Sequence, residues 1–263
     1  MLKTEYNAFF HQEGDWFVGN DPARGPWSID ACHAGPPTGL IVRALELRVT
    51  DKQLVRLTVN LLRPITMNGF QIETEIIRDG RSVCTASALL KDRDGRICAS
   101  AQSLHIRHGK DIALPTTEVL GPCFEDARPG EFPVREHHHD LPFFADGIEV
   151  AYPPGQDDSP GPTTLWMRTL PLLEGEVPSP FQRLCPLADC GNGISRNCEL
   201  AEARFMNPDV TIAIHRLPES EWLASEAVSH WPPGGIGTAV ATLFDQKGAI
   251  GTAIQTLLVE PHQ

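Results

Sequence analysis

The stretch Thr85–Leu104, TASALLKDRDGRICASAQSL, returns 153 positions later as Thr238–Leu257, TAVATLFDQKGAIGTAIQTL. Nine of the twenty positions are identical, among them Gly95/Gly248, Ile97/Ile250 and Gln102/Gln255. Unrelated sequences agree at about one position in twenty on average residue usage. The same offset matches Thr58/Thr211 and Arg63/Arg216, and upstream Ile41/Ile194, Arg43/Arg196, Glu46/Glu199 and Leu47/Leu200. One register, held without a gap from about residue 41 to about residue 104, marks the chain as two copies of one unit.

Both copies carry the same order of signals. A helix-like run comes first, GLIVRALELRV (Gly39–Val49) in copy one and GISRNCELAEARF (Gly193–Phe205) in copy two. Leu40, Ala44 and Leu47 make one apolar stripe, with Arg43 and Glu46 off it. The glycine- and proline-rich HAGPPTG and LADCGNG precede the two helices, as helix entries often do. Strand-like runs follow: LVRLTVNLL, FQIETEII, SVCTASALL and ICASAQSLHI, then VTIAIHRL, EWLASEAV, GTAVATLF and IGTAIQTLLV. Phe70 to Ile76 alternates apolar and polar residues, the pattern of a sheet with one buried face. Turn signals at Arg78–Arg81, Arg93–Arg96 and Gln246–Ala249 separate the runs.

One helix and four hairpin-linked strands make an antiparallel sheet that wraps a helix. Its edge needs cover, and a second copy can pair with it to close one continuous sheet around two helices. Residues 1–110 read as the first unit and 161–263 as the second. The stretch between, 111–160, rich in Pro, Gly and acids (PPGQDDSPGP at 153–162), reads as a linker or surface excursion.

Composition narrows the function. The 263 residues carry 22 Lys+Arg against 34 Asp+Glu, a net of −12, which disfavours nucleic acid as a partner. No apolar run approaches the roughly 18 residues needed for a membrane span. MLKTEYNAFF lacks a secretory pattern, and seven Cys form no C-x-x-C. A cytoplasmic protein with reduced thiols is expected.

Five segments then carry a family likeness: HAGPPTGLIVRALE, LTVNLLRPI, LADCGNGIS, NPDVTIAIHRLPESEWL and GIGTAVATLFDQKGAIGTAIQTLLVE. Together they resemble the double hotdog acyl-CoA thioesterases, the acyl-CoA thioesterase II-like superfamily. The likeness covers about residues 15–108 and 160–260. It implies an α+β fold, a tandem (double) hotdog with two long central helices wrapped by one continuous antiparallel β-sheet. It also implies hydrolysis of an acyl-CoA to free acid and CoA, with no cofactor and no metal. Homo-oligomers are open, since the tandem copies already mimic a dimer.

By position, the family's catalytic carboxylate, hydroxyl or amide residue, and glutamine fall on Asp189, Asn207 and Gln255. Well-studied members carry Thr where this chain has Asn207. The chemistry suits these types: a carboxylate as base toward water, amides to orient it, donors for the developing oxyanion. Backbone N–H groups at Asn192 and Gly193 open a helix and are the expected oxyanion donors. At the 153 offset Gln102 matches Gln255, but Pro36 replaces Asp189 and Leu54 replaces Asn207. One competent site per chain is therefore expected.

Plainer readings stand beside these. Asp189 before a helix is commonly an N-cap, Gln255 can satisfy buried backbone, and Asn207 before Pro208 can be a turn residue. His33 reads better as a capping or core histidine than as a substrate contact. His137–His139 reads as a solvated run, and Trp222 and Trp231 as core or sheet-face residues. No G-x-S-x-G, zinc spacing or complete dinucleotide loop is present. The alternatives to a thioesterase are a non-catalytic acyl-CoA-binding hotdog protein and an enoyl-CoA hydratase-like enzyme. The hydratase needs a close Asp–His pair, and the nearest histidine to Asp189 along the chain is His215.

Overall fold

A short hairpin, β1 (Phe10–Glu13) and β2 (Trp16–Gly19), precedes the first helix. That helix, α1 (Gly35–Arg48), starts on Pro36 and Pro37, whose fixed φ suits a first turn. Leu40, Ile41, Val42 and Leu45 are fully buried along it. Four strands follow: β3 (Gln53–Leu61), β4 (Phe70–Asp79), β5 (Val83–Asp92) and β6 (Ile97–Ile106). The computed structural model describes residues 2–110, 114–134 and 139–262.

The second half begins with β7 (Arg128–Gly130), β8 (Ile148–Tyr152) and β9 (Thr163–Thr169). Two helical pieces come next, α2 (Pro180–Ala188) and α3 (Gly191–Ile194). Then run β10 (Ala203–Met206), β11 (Asp209–Ile214), β12 (Leu223–His230), β13 (Ile236–Asp245) and β14 (Gly248–Pro261). All the strands join one sheet in the order β1-β2-β4-β5-β6-β3-β11-β14-β13-β12-β9-β8-β7, with β10 on β14.

The seam between the halves is the antiparallel pair β3–β11, in which Thr58 lies opposite Thr211. Their hydroxyls are 3.0 Å apart. These residues are counterparts in the repeat, so the pseudo-two-fold axis passes between them. The continuous sheet expected from the repeat is therefore real.

Two expectations change. The second helix does not run from Gly193 to Phe205: helix stops at Ile194, turns follow, and Ala203 already belongs to β10. The helix that packs on α1 lies earlier and is only nine residues long. Ser179 caps it, accepting the Gln182 N–H at 3.2 Å, and Pro180 fills its first position. Pro186, which reads as a breaker in sequence, sits inside it and removes one helical hydrogen bond. Gly35 of α1 admits α2 at this point, because a Cβ there would lie 2.8 Å from Pro186 Cα. The molecule thus has one long helix facing a short one that breaks at Asp189–Cys190.

The gapless register also fails, after the hairpin turn. In copy one the Asp92 N–H donates to the Arg96 carbonyl at 3.0 Å, leaving three residues in the loop. In copy two Asp245 pairs with Gly248, leaving two. The following strand is slipped by one: Thr58 faces Gln102, but Thr211 faces Ile254. A one-residue slip reverses the face of every side chain. Gln102 accordingly points to solvent, whereas Gln255 is 1% exposed, and its counterpart in space is Ser103.

The stretch 111–160 is more than a linker. It supplies β7 and β8 to the sheet edge, and Phe132, Val134, Phe143 and Phe144 to the core.

Close approach of β14 to β11 depends on Gly251, where a Cβ would strike the Ala213 carbonyl oxygen and lie 2.8 Å from Ile214 Cα. Gly251→Ala should destabilise the protein by about 2–4 kcal/mol in urea unfolding. Gly109→Ala, with nothing within 4 Å of its Cβ, should stay within about 0.5 kcal/mol of wild type.

Candidate active site

Asp189 ends α2 as its C-cap residue, and the next helical piece starts on Cys190 with no side-chain cap. The N-cap reading of Asp189 therefore does not hold. Its carboxylate turns inward, 5% exposed over the whole residue, toward three partners. Asn207 Nδ2 donates to Oδ1 at 2.9 Å. His33 Nδ1 lies 3.2 Å from Oδ2. The Gly35 N–H faces the same carboxyl and lies 3.2 Å from His33 Nδ1.

Gln255 reaches this turn from β14. Its Oε1 accepts the Asn192 N–H at 2.9 Å, and its Nε2 donates to the Asp189 carbonyl at 2.9 Å. Both ends of the amide are engaged by backbone, so Gln255 staples the break between α2 and α3. Gly191 makes room for it, since a Cβ there would lie 3.0 Å from Oε1. Asn207 sits between β10 and β11, where Pro208 interrupts pairing. Its Nδ2 also donates to the Asp209 carbonyl at 3.3 Å, and its Oδ1 accepts from Asn192 Nδ2 at 3.1 Å.

The structure thus brings Asp189, Asn207, Gln255 and Asn192 together, as expected. It does not leave the Asn192 and Gly193 N–H groups open as oxyanion donors. Gln255 takes the first, and the Asn192 Oδ1 takes the second at 2.8 Å. Buried backbone donors find partners, and two short polar side chains were at hand.

His33 is a core histidine, as expected, but its closeness to Asp189 was not read from the sequence. Its Nδ1 accepts the Gly35 N–H at the start of α1, and its ring stacks on Phe144 with centroids 3.9 Å apart and lines the same cavity as Asp189. Its Nε2 lies 3.9 Å from the Cys190 thiol. A repeat-based search for Asp–His proximity could have found it, because Pro36 is the counterpart of Asp189 and His33 stands three residues before it. His215, the nearest histidine along the chain, instead bonds the Ala249 carbonyl at 3.0 Å. His137 and His138 lie outside the described residues; His139 Nε2 is 3.0 Å from the Gly25 carbonyl. Trp222 packs on Phe124, and Trp231 on Phe205.

Burial dominates the electrostatics. Desolvation pushes the Asp189 carboxyl up from 3.8 to about 7, against the opposing bonds from Asn207 and Gly35. Desolvation also pushes the His33 imidazole down, from 6.5 to about 3, so it stays neutral. Below about pH 7 the proton therefore sits on the Asp189 carboxyl, 3.2 Å from the neutral His33 Nδ1.

The cavity has a volume of about 280 Å³ and is walled by Trp27, Cys32, Phe132, Phe143, Phe144 and Phe205 among others. The basic residues of copy two do not gather around it. Arg216 forks onto Asp245, Lys247 pairs with Glu219, and Arg204 with Glu260 at 3.2 Å. Arg196 is buried, 3.4 Å from Glu199.

Two sequence-family models match this chain. The acyl-CoA thioesterase N-terminal domain covers residues 23–106, and the acyl-CoA thioesterase C-terminal domain covers 124–259. The chain belongs to the acyl-CoA thioesterase family. This thioesterase is a thioester hydrolase with the hotdog fold. It is similar to a presumed thioesterase from Novosphingobium aromaticivorans, at 20% identity over 96% of this chain and 98% of the other, with a TM-score of 0.75. A conserved protein of unknown function with the hot dog fold from Alicyclobacillus acidocaldarius gives a TM-score of 0.70 at 16% identity, over 98% of each chain. The acyl-CoA thioesterase II TesB2 of Mycobacterium marinum gives 0.66 at 17% identity, over 95% of each. Likeness at such identities speaks to fold. No curated protein matches the thioesterase. Among its described residues, no helix is long and apolar enough to cross a membrane.

The buried carboxyl makes stability pH-dependent. Its folded value lies above its unfolded one, so its own contribution to stability is lost as pH rises from about 4 through about 7, while the lowered His33 contributes in the opposite sense below about 6.5. Asparagine carries no such penalty. Asp189→Asn should be more stable than wild type at pH 8, by on the order of 1–3 kcal/mol, with a smaller gain at pH 5, measured by urea unfolding.

Proposed function

We propose that the thioesterase hydrolyses acyl-CoA at Asp189, with the Asp189–His33 pair as the base for water. One observation carries this reading: a buried carboxyl, 3.2 Å from a neutral imidazole, opens onto a cavity of about 280 Å³. Once Asp189 has lost its proton, its carboxylate beside the neutral His33 takes one from water as the oxygen adds to the thioester carbonyl. The tetrahedral species then breaks its C–S bond, and the proton passes to the departing sulfur.

In this reading Asn207 and Gln255 are positioning residues. Asn207 holds the carboxylate by a bond to Oδ1, and Gln255 holds the turn that carries it. The Asn192 amide has one N–H on Asn207 and a second left for the developing oxyanion.

Free-thiol release from a panel of acyl-CoAs tests the proposal. Asp189→Ala should lower kcat/KM about 10²–10⁴-fold. In wild type kcat/KM should rise with pH through a midpoint near 7. Asn207→Ala removes a bond that holds the Asp189 pKa down, so its midpoint should move upward. A merely structural asparagine would leave that midpoint in place. Turnover by Asp189→Ala equal to wild type would sink the assignment, as would tight acyl-CoA binding with no hydrolysis by wild type.

The Asp189–His33 contact also suits water addition across an enoyl-CoA. Crotonyl-CoA separates the two: hydration consumes the double bond without releasing thiol.

A further inference from the structure

Two cavities meet at the inner wall of the site. Next to the Asp189 cavity lies a second, of about 550 Å³, and Phe132 and Phe143 line both. These two residues therefore mark the boundary of the two spaces. Phe132 is buried and meets Phe144 edge-on, with centroids 5.7 Å apart. Phe144 in turn carries the His33 ring. At the other end of the Asp189 cavity Trp27 is 47% exposed and Met206 59%, so the mouth lies there.

The second cavity is lined by Phe124, Trp222, Ile148 and Val150, with Glu131, Asp146 and Glu149 against a single Lys3. Glu149 is paired with Arg168, which leaves Glu131 and Asp146 against Lys3; this lining gives CoA phosphates no basic cluster, whereas the aromatic and aliphatic walls favour hydrocarbon.

We propose that Phe132 sets the length of acyl chain accepted, by closing the Asp189 cavity against the larger one next to it. The proposal rests on the hydrolase reading of Asp189. CoA stays at the Trp27–Met206 mouth, the thioester lies at Asp189, and the chain end meets the Phe132 ring. A space of about 280 Å³ holds roughly nine non-hydrogen atoms at the ~30 Å³ that a water claims in the liquid. The substrate class is therefore short, compact apolar acyl groups.

The test measures kcat/KM for saturated acyl-CoAs from acetyl to palmitoyl, and Kd for the matching free acids by calorimetry. In wild type both should improve about fourfold per methylene while chains fit, peak at or below octanoyl, and fall beyond it. Phe132→Ala should join the cavities and move the peak to longer chains. Phe132→Trp should move it to shorter chains. Phe124 lines the larger cavity alone; Phe124→Ala should be silent by itself and alter only long chains when combined with Phe132→Ala.

A wild-type peak at myristoyl or palmitoyl overturns the proposal, as does one profile shared by wild type, Phe132→Ala and Phe132→Trp. Graded acid binding that shifts in the Phe132 variants, without turnover of any acyl-CoA, upholds the length limit and sinks the hydrolase reading. Acids that bind without dependence on length sink the length limit, whatever the turnover.

Discussion

A single glutamine amide holds the site in shape. Gln255 links the Asp189 carbonyl to the Asn192 N–H across the break between α2 and α3. Without that bridge, a buried carbonyl and a buried N–H would both lack partners, at a cost of about 1–3 kcal/mol each. Because the bridge takes up the backbone, the helix can stop at Asp189 and turn its carboxyl into the cavity instead of continuing along α1. Asn192 and Asn207 extend the same network to the carboxylate itself. The polar groups inside this part of the core are tied into one connected set, the arrangement in which such groups rigidify a site.

That set holds two groups back from their usual charge states by the same cause. Burial raises the proton affinity of the carboxyl and lowers that of the imidazole, so the usual order of the two groups is reversed across a short contact. The seam places them there. His33 belongs to the first copy and Asp189 to the second, so neither half alone contains the pair. Tandem duplication here does structural work beyond covering a sheet edge.

Much of this was legible in the residues, and the failures have physical causes. Alternation and turn glycines located the eight main strands, and the Gly39–Val49 run located α1, which in fact starts four residues earlier and takes in Pro36 and Pro37. The second helix was misplaced because the repeat carried the first helix onto Gly193–Phe205, where the chain turns and enters β10 instead. Asp189, Asn207 and Gln255 became candidates through a resemblance, and they lie together in the structure. His33 did not, since closeness across a pseudo-axis leaves no mark on local spacing. The proline-rich stretch looked solvated because core residues such as Phe132, Val134, Phe143 and Phe144 are scattered among polar ones.

Identical glutamines, 153 residues apart in matching hairpins, ended on opposite faces because one loop is a residue longer than the other. Loop length here acts as a parity bit for the strand behind it. Anyone engineering a duplicate centre into the N-terminal half would have to write its amide at position 103 and leave Gln102 as a surface residue. Letter-by-letter similarity between two halves of a protein can therefore be high while its meaning, inside or outside, is inverted.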